Sequence, residues 1–170
     1  MDLRKEILKE HSKIQTNKII QYVGSSQQRF DSLVRFFLSD DTLISQRAGW
    51  PLSYIAIRYP RLVQKHLKKL LLNLKKNNLH DAVVRNTFRL LQFVEIPEAL
   101  HGLAIELCYK YFNDRKQPVA IRCFSMTVLD NLVKIYPDME NELKLSIEAQ
   151  LPGASTGFKV RARRVLAGMD

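Results

Sequence analysis

Apolar side chains recur every three or four positions along most of the chain, which is the spacing of one face of an α-helix. The segment PRLVQKHLKKLLLNLKK, which begins at Pro60, carries such a stripe, and so does PEALHGLAIELCYKYF, which begins at Pro97. Glycine and proline number six each in 170 residues, which favours long regular elements. The pattern therefore predicts an all-α protein. The two stripes contain Leu62, Val63, Leu67, Leu70, Leu71 and Leu74, and Leu100, Leu103, Ala104, Leu107 and Tyr111.

One phrase of the sequence recurs at a nearly constant interval. Four arginines stand 38, 37 and 39 residues apart, each three places after an apolar residue: Arg47, Arg85, Arg122 and Arg161. Apolar residues follow the first three, and then a proline, which suits the first turn of a new helix. The repeated unit is a helix, a polar turn, an arginine-bearing helix and a proline corner. The apolar sets and their prolines are Trp50, Tyr54, Ile55 and Ile57 with Pro60; Phe88, Leu91 and Val94 with Pro97; and Met126, Leu129, Leu132 and Val133 with Pro137.

The repeat also predicts how the chain is organised. A single helical pair has too little apolar area to bury its own stripe, so neighbouring pairs must stack on one another. We therefore predict one domain over residues 1–170, in which an extra N-terminal helix caps a stack of about four pairs. The capping helix is predicted at 3–23 and the pairs at 25–59, 60–96, 97–136 and 137–168.

Polar breaks separate the two helices of each predicted pair. They lie at 39–42, 77–81, 113–117 and 152–156, and their Asp, Ser and Thr residues are typical N-caps. The second helix of the first pair departs from the pattern because Gly49, Trp50 and Pro51 lie inside it. An interior proline is expected to kink that helix.

The paired segments resemble HEAT repeats, which form armadillo-like α-α superhelices. The resemblance rests on the leucine-rich first helix and on second helices that open DAVVRNTFRLL, PVAIRCFSMTV and GFKVRARRVL. It covers about residues 25–168. It implies that the second helices line the concave side and the first helices the convex side. It also implies that a loop aspartate pairs with the arginine of the next repeat, for which the candidates are Asp40, Asp41, Asp81 and Asp114.

The positive charge of the chain is concentrated in its middle. The net charge is +10, and residues 42–94 alone hold ten basic side chains against one acidic side chain, Asp81. A basic field of this kind attracts phosphate backbones or acidic surfaces, although solvated lysines that promote solubility give the same composition. The recurrent arginines also have two interpretations. They tie repeats together through turn carboxylates and helix-end carbonyls, or they form a row that receives an acidic ligand.

The candidate binding surface combines the central basic block with the recurrent arginines. If second helices line one side and first helices the other, this charge is divided between two faces. The candidate residues are Arg47, Arg58, Arg61, Lys65, Lys68, Lys69, Lys75, Lys76, Arg85, Arg89, Arg122 and Arg161.

Signatures of catalysis, cofactors and metals do not occur in the sequence. There is no phosphate-binding G-x-x-x-x-G-K-[ST] loop, no H-E-x-x-H and no G-x-S-x-G elbow. The four histidines lack ligand spacing, and Cys108 and Cys123 read as reduced, buried thiols. GSSQQ at 24–28 reads as a turn. PGASTGFKVRARR at 152–164 could hold a phosphate at a helix start, or be a capped turn before a solvated basic helix.

These observations favour a non-enzymatic scaffold that binds another protein or a peptide through its curved surface. The alternative is a nucleic-acid-binding protein related in architecture to the HEAT-like DNA glycosylases of the alkylation-repair class. The chemistry of that class needs a carboxylate and aromatic side chains flanking a DNA-facing groove, for which the basic block offers only Asp81 and Trp50. An unrecognised enzyme is the third hypothesis. A cytoplasmic location is expected because neither a signal peptide nor a membrane-spanning run is apparent.

Overall fold

The computed structural model describes residues 1–169, and within that range it contains helices and no β-strand, as predicted. Short 3₁₀ turns at Gln64–His66, Glu98–Leu100 and Pro137–Met139 supplement the α-helices. The α-helices are α1 (Leu3–Lys9), α2 (Lys13–Val23), α3 (Gln27–Phe37), α4 (Thr42–Arg58), α5 (Pro60–Val63), α6 (Leu67–Asn73), α7 (Asp81–Leu91), α8 (His101–Asn113), α9 (Val119–Val133), α10 (Glu140–Glu148) and α11 (Thr156–Leu166).

The helices group into two compact units, Met1–Ile96 and Pro97–Asp170. The division falls at Pro97, which is also the predicted boundary between the second and third pairs. The prolines of all three predicted corners open helical turns, Pro60 in α5, Pro97 before Glu98–Leu100 and Pro137 in Pro137–Met139. That the chain is one domain with the pair boundaries given above stays a prediction.

In two places the structure divides a segment that the sequence predicts as one helix. Residues 3–23 form α1 and α2, because Ser12 interrupts the first helix and caps the second by accepting a hydrogen bond from Gln15 N at 3.0 Å. The first helix of the second pair consists of α5, a 3₁₀ turn and α6. Its apolar stripe is nevertheless buried throughout, as predicted: Leu62, Val63, Leu67, Leu70, Leu71 and Leu74.

The polar breaks form capped turns. Asp41 accepts from Ile44 N at 3.1 Å at the start of α4, and Ser155 accepts from Phe158 N at 3.3 Å at the start of α11. His80 caps α7 by accepting from Ala82 N at 3.1 Å, although the sequence pointed to Asp, Ser and Thr as caps.

Helix α4 continues unbroken from Thr42 to Arg58 with Pro51 inside it.

In the first unit the first helices form one layer and the second helices another. Asp31 of α3 lies 2.7 Å from Lys65 Nζ and 2.7 Å from His66 Nε2, which joins α3 to the α5–α6 segment. In the other layer α4 packs along α7, and α1 and α2 also contact α4. Phe30 and Phe37 of α3 and Phe88 of α7 are fully buried in the core of this unit.

In the second unit α9 is the central helix. It packs against α8 and α11, and also contacts α10. The rings of Phe112 in α8 and Phe158 in α11 are stacked with centroids 6.1 Å apart, and both are fully buried. The stripe predicted for the first helix of this unit is buried at Ala104, Leu107 and Tyr111, while Leu100 and Leu103 are half-buried.

Three of the four loop aspartates proposed as arginine partners make local contacts, and the charge of Asp114 also acts on Arg122. Asp41 caps α4, and Asp40 lies 3.4 Å from Lys76 Nζ. Asp114 accepts from Lys116 N at 3.0 Å and from Gln117 Nε2 at 2.9 Å. The carboxylates of Asp41 and Asp114 therefore stabilise local turns, and that of Asp40 contacts a lysine.

Candidate functional site

Arg122 is engaged inside the second unit. It is 8% exposed, its Nε donates to the Phe112 carbonyl oxygen at 3.4 Å, and its Nη2 donates to Gln150 Oε1. Its guanidinium lies 4.5 Å from the centre of the Phe158 ring. Burial lowers the pKa of Arg122, but arginine keeps its charge in proteins, so these hydrogen bonds are charge-assisted. Arg122 ties α9 to the end of α8, to the turn after α10 and to α11.

Arg161 and Arg47 also hold helices together. Arg161 Nη1 donates to Thr127 Oγ1 at 2.6 Å and attaches α11 to α9. Arg47 Nη1 donates to the Leu8 carbonyl oxygen at 2.6 Å. Leu8 lies in the last turn of α1, where carbonyl groups lack intrahelical partners and favour a cation. Arg47, Arg122 and Arg161 therefore tie helices together, which is the structural interpretation of the recurrent arginines. In these contacts the acceptors are carbonyl, amide and hydroxyl oxygens.

Arg85, the remaining recurrent arginine, is exposed, and within residues 1–169 it makes no hydrogen bond, ion pair or ring contact. The repeat explains why. Thr127, which accepts from Arg161, stands five places after Arg122. The residue five places after Arg47 is Leu52, which is fully buried and has no polar side-chain atom. Helix α4 therefore offers Arg85 no equivalent hydroxyl.

Arg85 lines a pocket between α4 and α7. The pocket has a volume of about 220 Å³. We call it the Trp50–Arg85 pocket; its lining includes His11, Gln46, Trp50, Arg85, Asn86 and Arg89. Gln46 and Trp50 lie one turn apart on α4, as Arg85 and Arg89 do on α7, so each helix contributes one ridge. None of the described residues that line it is a carboxylate.

Aromatic rings form one side of this region. The rings of His11 and Trp50 have centroids 5.7 Å apart, and those of Trp50 and Tyr54 are 6.4 Å apart. The Arg89 guanidinium lies 4.5 Å from the centre of the Tyr54 ring. Hydrogen bonding by Trp50 and Arg89, with the nearby charges of Arg89 and Lys13, lowers the pKa of the Tyr54 hydroxyl from its usual value near 10. The electrostatic environment is therefore positive.

The base of the pocket is fixed by Asn86. Its Nδ2 donates to the Ala82 carbonyl oxygen at 2.8 Å, and its Oδ1 accepts from Ser53 Oγ at 3.3 Å. Gly49 allows this close approach of α4 and α7, since a Cβ there would lie 2.8 Å from Asn86 Nδ2. The pocket therefore rests on a rigid joint between two helices.

The other basic candidates of the first unit lie mainly on the α5–α6 segment. Lys65 pairs with Asp31 at 2.7 Å, and Lys76 lies 3.4 Å from Asp40. Arg58 lies 5.5 Å from the centre of the Tyr59 ring. Lys65 thus lies on the α5–α6 segment and Lys76 just after it, whereas Arg58 ends α4 and Arg85 and Arg89 lie on α7. The remaining exposed cations of the α5–α6 segment are Arg61, Lys68, Lys69 and Lys75.

The segments considered for other chemistry are turns or buried groups. Ser26 caps α3 after Gly24 ends α2, and Ser155 caps α11. Burial raises the pKa of the Cys108 and Cys123 thiols, and both residues are buried, as predicted. Among residues 1–169 no group of His, Cys, Asp or Glu side chains has the arrangement of a metal site.

From the sequence, Arg85 and Arg89 were named as candidate binding residues and Trp50 only as an aromatic residue of the basic block. His11, Gln46 and Tyr54 were missed as their neighbours. Tyr54 was assigned to the apolar stripe of α4, yet it is 41% exposed. The overlooked signal is the four-residue spacing of Gln46, Trp50 and Tyr54, which places them on one ridge of the helix. His11 could be found only from the fold, because it precedes α2 and reaches Trp50 through packing of α2 on α4.

The repeated helical pairs define the α-α repeat class, and a family comparison identifies the family. The model of the HEAT repeat domain matches residues 3–169. The chain therefore belongs to the HEAT-repeat family. No curated protein and no solved structure matches the chain. In the part of the chain that the structure describes, every helix is too short or too polar to cross a lipid bilayer.

Proposed function

We propose that the protein is a non-enzymatic HEAT-repeat scaffold that holds a partner protein or peptide against the face formed by α4 and α7. HEAT-repeat domains commonly serve as helical scaffolds in protein interactions, because stacked pairs present extended surfaces. The observation that supports this face is the Trp50–Arg85 pocket, which combines aromatic rings with an arginine that the fold does not use.

The chemistry of the α4–α7 face favours protein recognition. Tryptophan, tyrosine and arginine are the residues that dominate binding energy at protein interfaces. Trp50 is half-buried, Tyr54 is 41% exposed, and Arg85 extends beside them, so large contact area is available with little loss of side-chain freedom on binding. Around the α5–α6 segment, by contrast, Asp31 and Asp40 already offset part of the charge of Lys65 and Lys76.

Nucleic-acid binding is the second candidate, and the ten basic side chains against one acidic side chain in residues 42–94 favour it. Base removal of the glycosylase type is not part of this candidate, because Asp81 is not among the residues that line the Trp50–Arg85 pocket. Gel-shift measurements across a range of salt concentrations separate the candidates. Duplex binding that weakens steeply with salt supports this one, and its absence at low salt excludes it.

Site-specific photo-crosslinking tests the proposed face. Tyr54 is replaced by p-benzoylphenylalanine, a similar but larger aromatic residue, and the matched control carries the same group in place of Lys68 on α6. After irradiation in an extract of the source cell, we expect a discrete protein adduct from position 54 and not from position 68. The same adduct from both positions, or none from position 54, would contradict the proposal. A cytoplasmic location stays a prediction.

A further inference from the structure

The Trp50–Arg85 pocket has hydrogen-bond donors that the fold leaves unused. A guanidinium carries five N–H donors in a planar fork that matches a carboxylate, and within residues 1–169 those of Arg85 have no acceptor. Arg89 stands one helical turn further along α7 and is held over the Tyr54 ring at 4.5 Å. An anion beside Arg85 is therefore within the field of a second, positioned cation.

The surroundings of the pocket select for negative charge. Arg85 and Arg89 both line the pocket, and the Arg89 guanidinium lies 4.5 Å from the centre of the neighbouring Tyr54 ring. The described lining residues contribute no carboxylate that would neutralise them. The opposite surface of the first unit differs, because Asp31 there pairs with Lys65 at 2.7 Å.

The size of the pocket favours a single side chain over a cofactor. Its volume is about 220 Å³, below the roughly 300–1,000 Å³ of small-molecule sites. The Trp50 ring supplies an apolar wall for the methylene groups of an entering side chain. Arg85 lies where it can donate hydrogen bonds to the charged end of that side chain. The fixed side chain of Asn86 at the base keeps this arrangement rigid.

We infer that the Trp50–Arg85 pocket receives a carboxylate side chain, Asp or Glu, of an acidic segment in the partner protein. This inference rests on the proposed function and specifies the chemistry of the partner. Charge complementarity identifies the occupant: two arginines line one small pocket beside the Trp50 ring, and its described lining contains no acidic residue. Arg85 forms the primary hydrogen bonds, and Arg89 adds long-range attraction.

The only tryptophan of the chain, Trp50, makes the inference directly measurable. Its fluorescence is followed during titration of the full chain with a Glu-rich decapeptide at low and at physiological salt. Three ligands serve as controls: the same peptide with Gln for Glu, the same peptide with phosphoserine for Glu, and a short DNA duplex. We expect a saturable change with the Glu-rich peptide, weaker binding at the higher salt, and no change with the Gln peptide.

Two charge-reversal variants test whether the peptide binds at the Trp50–Arg85 pocket. R85E changes an exposed side chain that makes no contact within residues 1–169, so folding is expected to survive. It should weaken binding of the Glu-rich peptide by about tenfold or more, the scale of one charge-assisted hydrogen bond. K69E makes the same charge change on α6 and should alter the affinity less than about twofold.

Three results would overturn the inference: no saturable change with the Glu-rich peptide, equal affinity of R85E and the wild-type chain, or tighter binding of the phosphoserine peptide or the duplex. Failure of the inference is distinguishable from failure of the proposed function. If crosslinking from position 54 captures a protein while the Glu-rich peptide does not bind, the face is correct and the carboxylate is wrong. If neither occurs, the proposed function fails as well.

Discussion

The guanidinium of Arg122 lies 4.5 Å from the centre of the Phe158 ring, which places a buried charge between α9 and α11. The same group donates to the Phe112 carbonyl oxygen and to Gln150, so one side chain contacts three other segments of the second unit. A recurrent arginine is thus a structural connector here. Arg85, which occupies the corresponding position of the second repeat, has no such role within residues 1–169.

Replacing Arg122 by methionine should destabilise the second unit. The change keeps apolar contact with Phe158 but leaves the Phe112 carbonyl and the Gln150 side-chain oxygen without their buried donor. Loss of charge-assisted hydrogen bonds in a buried setting predicts a decrease of about 2–4 kcal/mol in the free energy of unfolding. Urea denaturation followed by circular dichroism measures it. R163A, at an exposed position of α11, is the control, and an equal effect of both changes would contradict the connector role.

Gly49 is predicted to be intolerant of a side chain. A Cβ there would lie 2.8 Å from Asn86 Nδ2 and 3.0 Å from Phe37 Cε2, so G49A should force α4 and α7 apart and cost about 1–3 kcal/mol. G102A in α8 is the matched control, since a Cβ added at Gly102 would have no atom within 4 Å. That change should stabilise the protein by about 0.5–1 kcal/mol, because glycine loses more backbone entropy in a helix. Thermal unfolding of both variants gives the comparison, and equal melting temperatures would count against the predicted clash.

The carboxylate of Asp31 should make the first unit sensitive to acid. Burial by itself raises the pKa of Asp31, but hydrogen bonds from Lys65, Gln27 and His66 outweigh it and hold the pKa well below its usual value. A carboxylate whose pKa is lower in the folded state stabilises the fold above its unfolded pKa of about 4, and this contribution is lost as the pH falls below that value.

D31N is therefore expected to be less stable than the wild-type chain by about 1 kcal/mol at neutral pH, the scale of a partly exposed ion pair. The difference should narrow between about pH 5 and about pH 3, because the wild-type carboxylate becomes protonated on unfolding. Urea denaturation across this pH range provides the measurement. D40N, whose side chain is 99% exposed, is the control. A difference between D31N and the wild-type chain that does not change with pH would show that charge is not the cause.

Much of the fold followed from the spacing of apolar residues. The six residues of the predicted stripe between Leu62 and Leu74 are all buried, whereas Leu72, which lies outside the stripe, is exposed. Pro60, Pro97 and Pro137 open helical turns where they were predicted. These features depend on local periodicity and on the fixed backbone angle of proline. The break between α1 and α2 was missed although residues 9–13 contain no apolar residue and Ser12 is a typical N-cap. The break at Gln64–His66 was missed because the apolar spacing continues from Val63 to Leu67 across it.

The candidate site was only partly accessible from the sequence. A list of cations does not distinguish Arg122, which is buried, from Arg85, which is exposed, because both follow the same repeat pattern. The difference depends on the surrounding helices, which supply Arg122 with the Phe112 carbonyl oxygen and the Gln150 side chain. For Arg85, the only signal in the sequence is Leu52, which stands where Thr127 of α9 accepts from Arg161. The contact of His11 with Trp50 required the packing of α2 on α4.

The most direct test of the α4–α7 docking face uses two matched charge-reversal variants. It compares their affinities for the partner protein that crosslinking captures. R85E changes the second-helix layer and K69E changes the first-helix layer, each by two charge units. Isothermal titration calorimetry should give a dissociation constant at least about tenfold higher for R85E than for the wild-type chain, and a value within about twofold for K69E. Equal weakening by both variants, or weakening by K69E alone, would contradict the account.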